Sequence, residues 1–332
     1  MKTSQTENEK SLLIYVQGDR LGDGLQKLPA IATLREAFPG YHITWMAGGA
    51  PSIFKTSLSP LVENYVDQII HKANFGISWK QFFKPSDKEF KFHFIIDTQN
   101  VIRNTVLLKR VPHDVFVSPA ASFLFSDIKP PSKSQYKNSN LQQRLLILIS
   151  LVAGTKHEPV YNLDIPGKYR ELADQLLPNG PVYIGMAPGA GGRKRCWPII
   201  KYIELAKNQV NAGRTPVFFI GPQETDMIAT IKSSVQEAVF PEQETTVDQN
   251  GGPLLSLALA EKLAVGIANV SGSGHILASG GKPVIILVGP SNANKFTGTS
   301  SSQHIINAND YGGSDMDLIP VTAVIDAVNK LV

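Results

Sequence analysis

The chain has 332 residues, 42% of them hydrophobic and 18% charged, with a net charge of +4. That length suits two ordinary domains with proper cores, and the low charge content points to a well-buried α/β protein or one that works near a membrane. Lysines and arginines are scattered rather than clustered with aromatics, which argues against nucleic acid as a partner and leaves an anionic substrate or lipid surface open.

In chain order, the polar stretch Met1 to Lys10 is followed by an apolar run, Leu12–Val16, that reads as a strand. It is too short for a signal sequence or a membrane span, and no run of 18 apolar residues occurs, so a soluble or peripheral cytoplasmic protein is expected. Apolar spacing predicts a helix over Leu28–Phe38, stopped by Pro39-Gly40. Strands are expected at Tyr41–Ala47, Val66–Ile70, Phe92–Asp97 and Val115–Val117, and helices at Leu61–Tyr65, Val101–Lys109 and Leu141–Ala153. Pro130–Ser139 is polar and reads as a loop.

The second half restarts the alternation, with strands expected at Val182–Met186, Pro216–Gly221, Ala264–Ala268 and Val284–Val288. Helices are expected at Pro198–Val210, Thr225–Ala238, Leu254–Glu261, His275–Gly280 and Val321–Val332. Between the halves, residues 154–180 are proline-rich around a short helix at Tyr169–Leu177. The expected division is therefore an N-terminal domain over 1–160, a linker over 161–180 and a C-terminal domain over 181–332. Apolar strands alternating with helices imply parallel sheets covered on both faces, with ligands at the strand C-terminal ends.

Four strand–helix junctions could carry chemistry. The most informative is Pro188-Gly189-Ala190-Gly191-Gly192 followed by Arg193-Lys194-Arg195-Cys196-Trp197-Pro198. A glycine turn feeding a helix start binds anions through backbone N–H groups and the positive helix end. Three cations there would weaken the helix unless an anion is present. Between the first strand and the first helix lies Gly18-Asp19-Arg20-Leu21-Gly22-Asp23-Gly24. Asp19 and Asp23 are candidates for a general base, or for helix caps; the pattern is not the dinucleotide Gly-x-Gly-x-x-Gly. After the strand at Pro216–Gly221, Glu224 could hold a sugar hydroxyl or serve as the first-turn acid of the next helix. Finally, Asn269-Val270-Ser271-Gly272-Ser273-Gly274-His275 offers small donors to a phosphate or sugar, or a serine-capped helix with a buried histidine.

Other chemistries find little support. Cys196, the only cysteine, excludes an intramolecular disulfide and reads as a semi-buried small side chain beside Trp197 rather than a nucleophile. Asp315-Met316-Asp317 has the spacing of a divalent-metal motif but lies in a polar tail loop, and the seven histidines are dispersed. No metal and no cofactor are expected.

Taken together, residues 22–29, 39–45, 95–99, 188–198, 221–224 and 269–275, the last continuing to Gly289-Pro290, resemble glycosyltransferase family 9, the bacterial heptosyltransferases. The resemblance implies a GT-B architecture, two doubly wound Rossmann-like domains facing a cleft: an N-terminal acceptor-binding domain and a C-terminal domain for a nucleotide-sugar donor. It implies inverting, metal-independent transfer, usually from ADP-heptose, onto the lipopolysaccharide core or a related glycan or glycolipid, with peripheral inner-membrane contact. By this resemblance Asp23 is the base, with Gly24 beside it, and Pro188, Gly189 and Ala190 line the donor turn. Arg195 falls where the family carries a phosphate-binding lysine, with Lys194 adjacent. Glu224, Ser271, Gly272, Ser273 and His275 match donor-contacting positions. Val270 stands where the family usually has aspartate, a departure that leaves the donor sugar open. A non-catalytic nucleotide-sugar-binding relative and a GT-B-like sugar-nucleotide epimerase are the rival readings. Trp79, Lys80, Phe82 and Phe83 could face lipid, although core or loop packing also accounts for them.

Overall fold

The structure, a computed structural model, describes residues 10–75, 91–245, 252–290 and 302–332. The chain divides into two units, residues 1–160 and 161–332. The lipid-facing candidates Trp79, Lys80, Phe82 and Phe83 lie outside the described residues.

In the N-terminal unit, strands β1 (Ser11–Val16), β2 (His42–Ala47), β3 (Gln68–Ile70), β4 (Phe92–Asp97) and β5 (His113–Val117) form one sheet in the order β3-β2-β1-β4-β5. All pairings are parallel. Every residue of β1 is buried, as a central strand covered on both faces requires. Helices α1 (Leu21–Ile31), α2 (Leu34–Ala37), α3 (Ile102–Leu108), α4 (Lys133–Asn138) and α5 (Leu141–Ala153) complete the unit. A capping box between Asn140 and Gln143 starts α5, and Gly154 ends it in the left-handed conformation at φ 76°.

The expected single helix over Leu28–Phe38 is instead two. α1 starts at Leu21 and stops before Thr33, so the Gly-Asp-Gly stretch is its first turn and not a loop. Glycine is a poor helix former, and that hides the helix start from pattern reading. Packing explains it: a Cβ on buried Gly24 would come 2.6 Å from Ile53 Cγ2, so glycine lets α1 close on the 53–58 segment. Two further expectations change. The 130–139 stretch contains α4, capped by Ser132, and the region at Leu61–Tyr65 is 3₁₀ turn rather than α-helix.

The C-terminal unit opens with α6 (Gly167–Leu176), tied to it by Arg170 to Glu261 at 2.8 Å and Lys262 to Asp174 at 2.5 Å. Strands β6 (Tyr183–Ala187), β7 (Thr215–Phe218), β8 (Val265–Asn269), β9 (Val284–Val288) and β10 (Gln303–Asn307) form a parallel sheet in the order β10-β9-β8-β6-β7. The helices are α7 (Ile199–Asn211), α8 (Met227–Ser234), α9 (Pro253–Glu261), α10 (Gly272–Ser279) and α11 (Val321–Leu331). The edge strand β10 has no counterpart in the sequence reading, because Gln303-His304-Ile305-Ile306-Asn307 is mixed in polarity and only Ile306 is buried. α10 begins three residues before the expected His275 for the same reason as α1: two glycines occupy its first turn.

Candidate functional site

Each sheet reverses its strand order at one point. In the N-terminal unit this lies between β1 and β4, and in the C-terminal unit between β6 and β8. In open α/β sheets the crevice beyond the strand ends at such a point is where ligands bind. All four candidate junctions lie at strand C-terminal ends, and three of them at these switch points.

At the N-terminal switch point the two candidate carboxylates separate into different environments. Asp19 is 4% exposed and saturated: Trp45 Nε1 donates to it at 2.9 Å, Ser52 Oγ at 2.7 Å, and the buried ammonium of Lys27 pairs with its other oxygen. It is a structural group. Asp23 is exposed in the first turn of α1, where its charge complements the positive helix end. Across the switch point, Asp97 ends β4 fully buried and accepts from Thr105 Oγ1 at 2.7 Å, Ser118 Oγ at 2.8 Å and the Gln99 N–H at 2.9 Å. Burial raises its pKa to about 6, against the pull of those three donors.

Beside Asp97 the unit encloses a cavity of about 630 Å³. Thr98, Gln99 and Asn100 form one wall, and Lys133, Lys137 and Arg144 bring three cations to a lining that holds no carboxylate; Lys27 also lines it, but its ammonium is spent on Asp19. Ala121, Ser122 and Phe123 hold consecutive φ values of 48°, 55° and 64° at its edge, a left-handed run of non-glycine residues of the kind that marks ligand sites. Thr98 and Gln99 fall in a block that carries the family resemblance, but the lining from α4 and α5 escaped sequence reasoning. The Lys133/Lys137 spacing of four was the available signal, masked by reading the segment as loop.

At the C-terminal switch point a buried amide ties the junctions together. Asn269 accepts from the Trp197 N–H at 2.9 Å and donates to the Pro188 carbonyl at 2.8 Å, joining the ends of β8 and β6. Trp197 is buried, its indole N–H bonded to the Ile319 carbonyl at 3.0 Å. This fixes the turn in front of it, where Arg193, Lys194 and Arg195 form an exposed 3₁₀ turn. Arg193 lies 3.9 Å from Asp226, and among the described residues no carboxylate pairs with Lys194 or Arg195. α7 follows with Pro198 as N-cap and no side-chain cap. The first N–H groups of α7 thus follow within a few residues of two cations that have no carboxylate partner among the described residues.

Glu224 reaches back over this turn. A Cβ on Gly189 would stand 2.7 Å from its Cδ, and one on Gly221 2.7 Å from its Oε2, so both glycines are space for this carboxylate. Burial and then Asp226 push its pKa up. Ser271 caps α10, accepting from Gly274 N at 3.2 Å, while Gly272 and Ser273 are half-buried in the first turn. The His275 ring is 6% exposed and points into the core, where burial lowers its pKa to about 4. Pro188 is buried behind the turn and Ala190 half-buried in it. Asp315 caps its own 3₁₀ turn and Asp317 pairs with Lys201 at 3.1 Å, so both are engaged. Cys196 is half-buried and its thiol pKa is raised by burial. No group of three or more metal-binding side chains occurs among the described residues.

Two parallel, doubly wound sheets, each with its polar groups gathered where the strand order reverses, define a two-domain α/β protein of the GT-B fold. Residues 88–317 match the profile of glycosyltransferase family 9 (heptosyltransferase), and the chain belongs to that family. The matched span holds the donor-side candidates and most of the cavity; Asp23 and Lys27 precede it. The glycosyl transferase family 9 structure from Veillonella parvula is 18% identical, with a TM-score of 0.70 over 99% of both chains. E. coli ADP-heptose lps heptosyltransferase II is 20% identical, with a TM-score of 0.65 over 97% of this chain and 98% of that one. E. coli heptosyltransferase WaaC with ADP-2-deoxy-2-fluoro heptose is 16% identical, with a TM-score of 0.64 over 96% of this chain and 99% of that one. No curated protein sequence matches the chain. No helix among the described residues is long and apolar enough to cross a membrane.

Proposed function

We propose that the protein transfers heptose from ADP-heptose, with inversion and without a metal ion, onto a lipopolysaccharide core or related glycan at the cytoplasmic side of the inner membrane. The observation that carries this reading is the exposed 3₁₀ turn before α7, where Lys194 and Arg195 have no carboxylate partner among the described residues and α7 has no side-chain cap. A diphosphate leaving group has that charge. E. coli WaaC, a structural relative, is described with ADP and with an ADP-heptose analogue.

In the reaction, Asp23 takes the proton of an acceptor hydroxyl. The oxygen bonds to the anomeric carbon from the face opposite the diphosphate, the bond to the diphosphate oxygen breaks, and ADP departs. Charge developing on the diphosphate is met by Lys194, Arg195 and the start of α7, donors already in place before the bond breaks. Lys194 and Arg195 thereby do the work a divalent metal does elsewhere. Glu224 holds a hydroxyl of the donor, and the α10 turn at Ser271, Gly272 and Ser273 lies against the donor. The cavity of the N-terminal unit takes the acceptor, and its cations suit a glycan carrying phosphate or carboxylate groups.

The purified protein is incubated with ADP-heptose and a heptose-free lipid A–Kdo acceptor, with Asp23→Asn in parallel, and the product is weighed by mass spectrometry. The added heptose is expected with the wild type, in EDTA as in buffer, and is lost with the variant. ADP that raises the melting temperature without transfer would retain the fold's ligand class but reject this donor sugar or acceptor, directing attention to Val270. Absence of both would reject the transferase reading.

A further inference from the structure

α1 carries Asp23 and, four residues later, Lys27. Side chains four apart on a helix are neighbours, and a carboxylate N-terminal to a lysine is the favourable order for pairing. Lysine at this position is therefore a hazard for a base at Asp23. A paired carboxylate would point at the ammonium instead of an acceptor hydroxyl, and would hold its electrons less readily available to a proton.

In this protein Lys27 goes elsewhere. Its chain leans toward the helix N-terminus, as helical side chains do, and its ammonium lies on Asp19, with the two side chains 5% and 0% exposed. Asp19 cannot drift from that role, because Trp45 Nε1 and Ser52 Oγ hold its second oxygen. Its backbone is held as well: its N–H donates to the Pro51 carbonyl at 3.0 Å, and its carbonyl accepts from the Ile53 N–H at 3.0 Å. The ammonium also sits 5.7 Å from the centre of the Trp45 ring. The strand-end loop, the 51–53 segment and α1 are thus locked around one buried ion pair, while Asp23 stays in solvent one turn away.

We infer that Asp19 is a positioning residue that draws the Lys27 ammonium away from Asp23 and keeps that carboxylate available to the acceptor hydroxyl. The inference rests on the reading of Asp23 as the base, and its test separates the two. In Asp19→Asn the crystal structure should show the Lys27 ammonium swung to Asp23, within ion-pair reach of about 4 Å. This readout needs no substrate. In the transfer assay the same variant should lose at least about tenfold in kcat with the donor KM unchanged, since only the proton-transfer step is impaired.

The second variant decides mechanism. Breaking a buried ion pair is costly because it strands an uncompensated charge; Asp19→Asn combined with Lys27→Met leaves none, keeps an acceptor for Trp45 Nε1 and Ser52 Oγ, and should fold and recover kcat to within about threefold of wild type. If the double variant stays as slow as Asp19→Asn, or falls about a hundredfold below wild type where the single variant does not fold, Asp19 acts through something other than Lys27 and the inference is overturned. A Lys27 side chain that remains away from Asp23 in the Asp19→Asn crystal overturns it too. Should Asp23→Asn leave transfer intact, the base assignment fails, whereas the movement of Lys27 is judged by the crystal alone.

Discussion

The two units share one frame, five parallel strands with a polar junction at the strand-order reversal, yet they spend their charges in opposite ways. In the N-terminal unit the charges at the junction are drawn inward: Asp19 with Lys27, and Asp97 among Thr105, Ser118 and Gln99, leaving the single carboxylate of Asp23 in solvent. At the C-terminal junction the buried polar groups, the Asn269 amide and the His275 ring, are neutral, while the cations of 193–195 remain outside. One frame thus presents an exposed carboxylate and a cation-lined cavity, the other an exposed patch of positive charge. The fold supplies the place, and the partnering of charges decides the chemistry.

The sharpest way to break this comparison is to remove the isolated member of each junction. Asp23→Asn should lower kcat by about 10²–10⁴-fold, the usual yield of a general base, with donor affinity unchanged by calorimetric titration with ADP. Equal loss in both quantities would make Asp23 a helix-start residue, like the capping groups elsewhere in the chain. On the other side, Lys194→Ala with Arg195→Ala should weaken ADP binding by about 10²-fold, since each charge-assisted hydrogen bond contributes about 1.5–3 kcal/mol. Its loss should grow less steep as salt is raised, because exposed charges are screened. Unaltered ADP affinity would remove the anion site from this turn.

A buried neutral amide gives a third test. Asn269→Ala leaves the Trp197 N–H and the Pro188 carbonyl without their partner in a buried setting. That should cost about 2–4 kcal/mol by denaturant unfolding, from two buried backbone groups left unsatisfied. Asn269→Asp should be tolerated worse than its shape suggests, because a carboxylate cannot donate to the Pro188 carbonyl. Stability near wild type in Asn269→Ala would mean that the junction does not depend on this clamp.

Much of this arrangement was legible in the sequence, and the exceptions have a common cause. Both sheets announce themselves through apolar strands such as Leu12–Val16 and Val284–Val288, because a strand covered on both faces must be apolar throughout, while the mixed edge strand β10 stays hidden. The helix starts at Leu21 and Gly272 do not, because glycines in both first turns depress local helix propensity, Gly24 being needed for close packing on Ile53. Pairing is likewise invisible in one dimension. Asp19 and Asp23 look alike as letters, and only Trp45 and Ser52, distant in sequence, make one structural. The cavity cations of α4 and α5 were hidden for the same reason: nothing local tells that Lys133, Lys137 and Arg144 line one cavity with Thr98 and Gln99.

The smallest effect sharpens the comparison most, because the two units should answer acid with opposite signs. Asp97 has a folded pKa raised from 3.8 to about 6 by burial. The folded state therefore binds its proton more tightly, so this group adds stability as pH falls from 6 toward 3.8 and withdraws it as pH rises. His275 has a folded pKa lowered from 6.5 to about 4, again by burial. There the unfolded state takes the proton first, so stability is full above 6.5 and is lost as pH falls toward 4. Between pH 6 and pH 5 each group contributes about 1 kcal/mol, in opposite directions, and the wild type should look nearly flat from these two alone. Asp97→Asn removes the gain and should make the protein fall in Tm on acidification; His275→Gln removes the loss and should make it rise. Calorimetric scans at the two pH values measure both slopes in one series. If the two variants shift in the same direction, the contrast between a unit that buries its charges and one that buries neutral groups does not govern its response to pH.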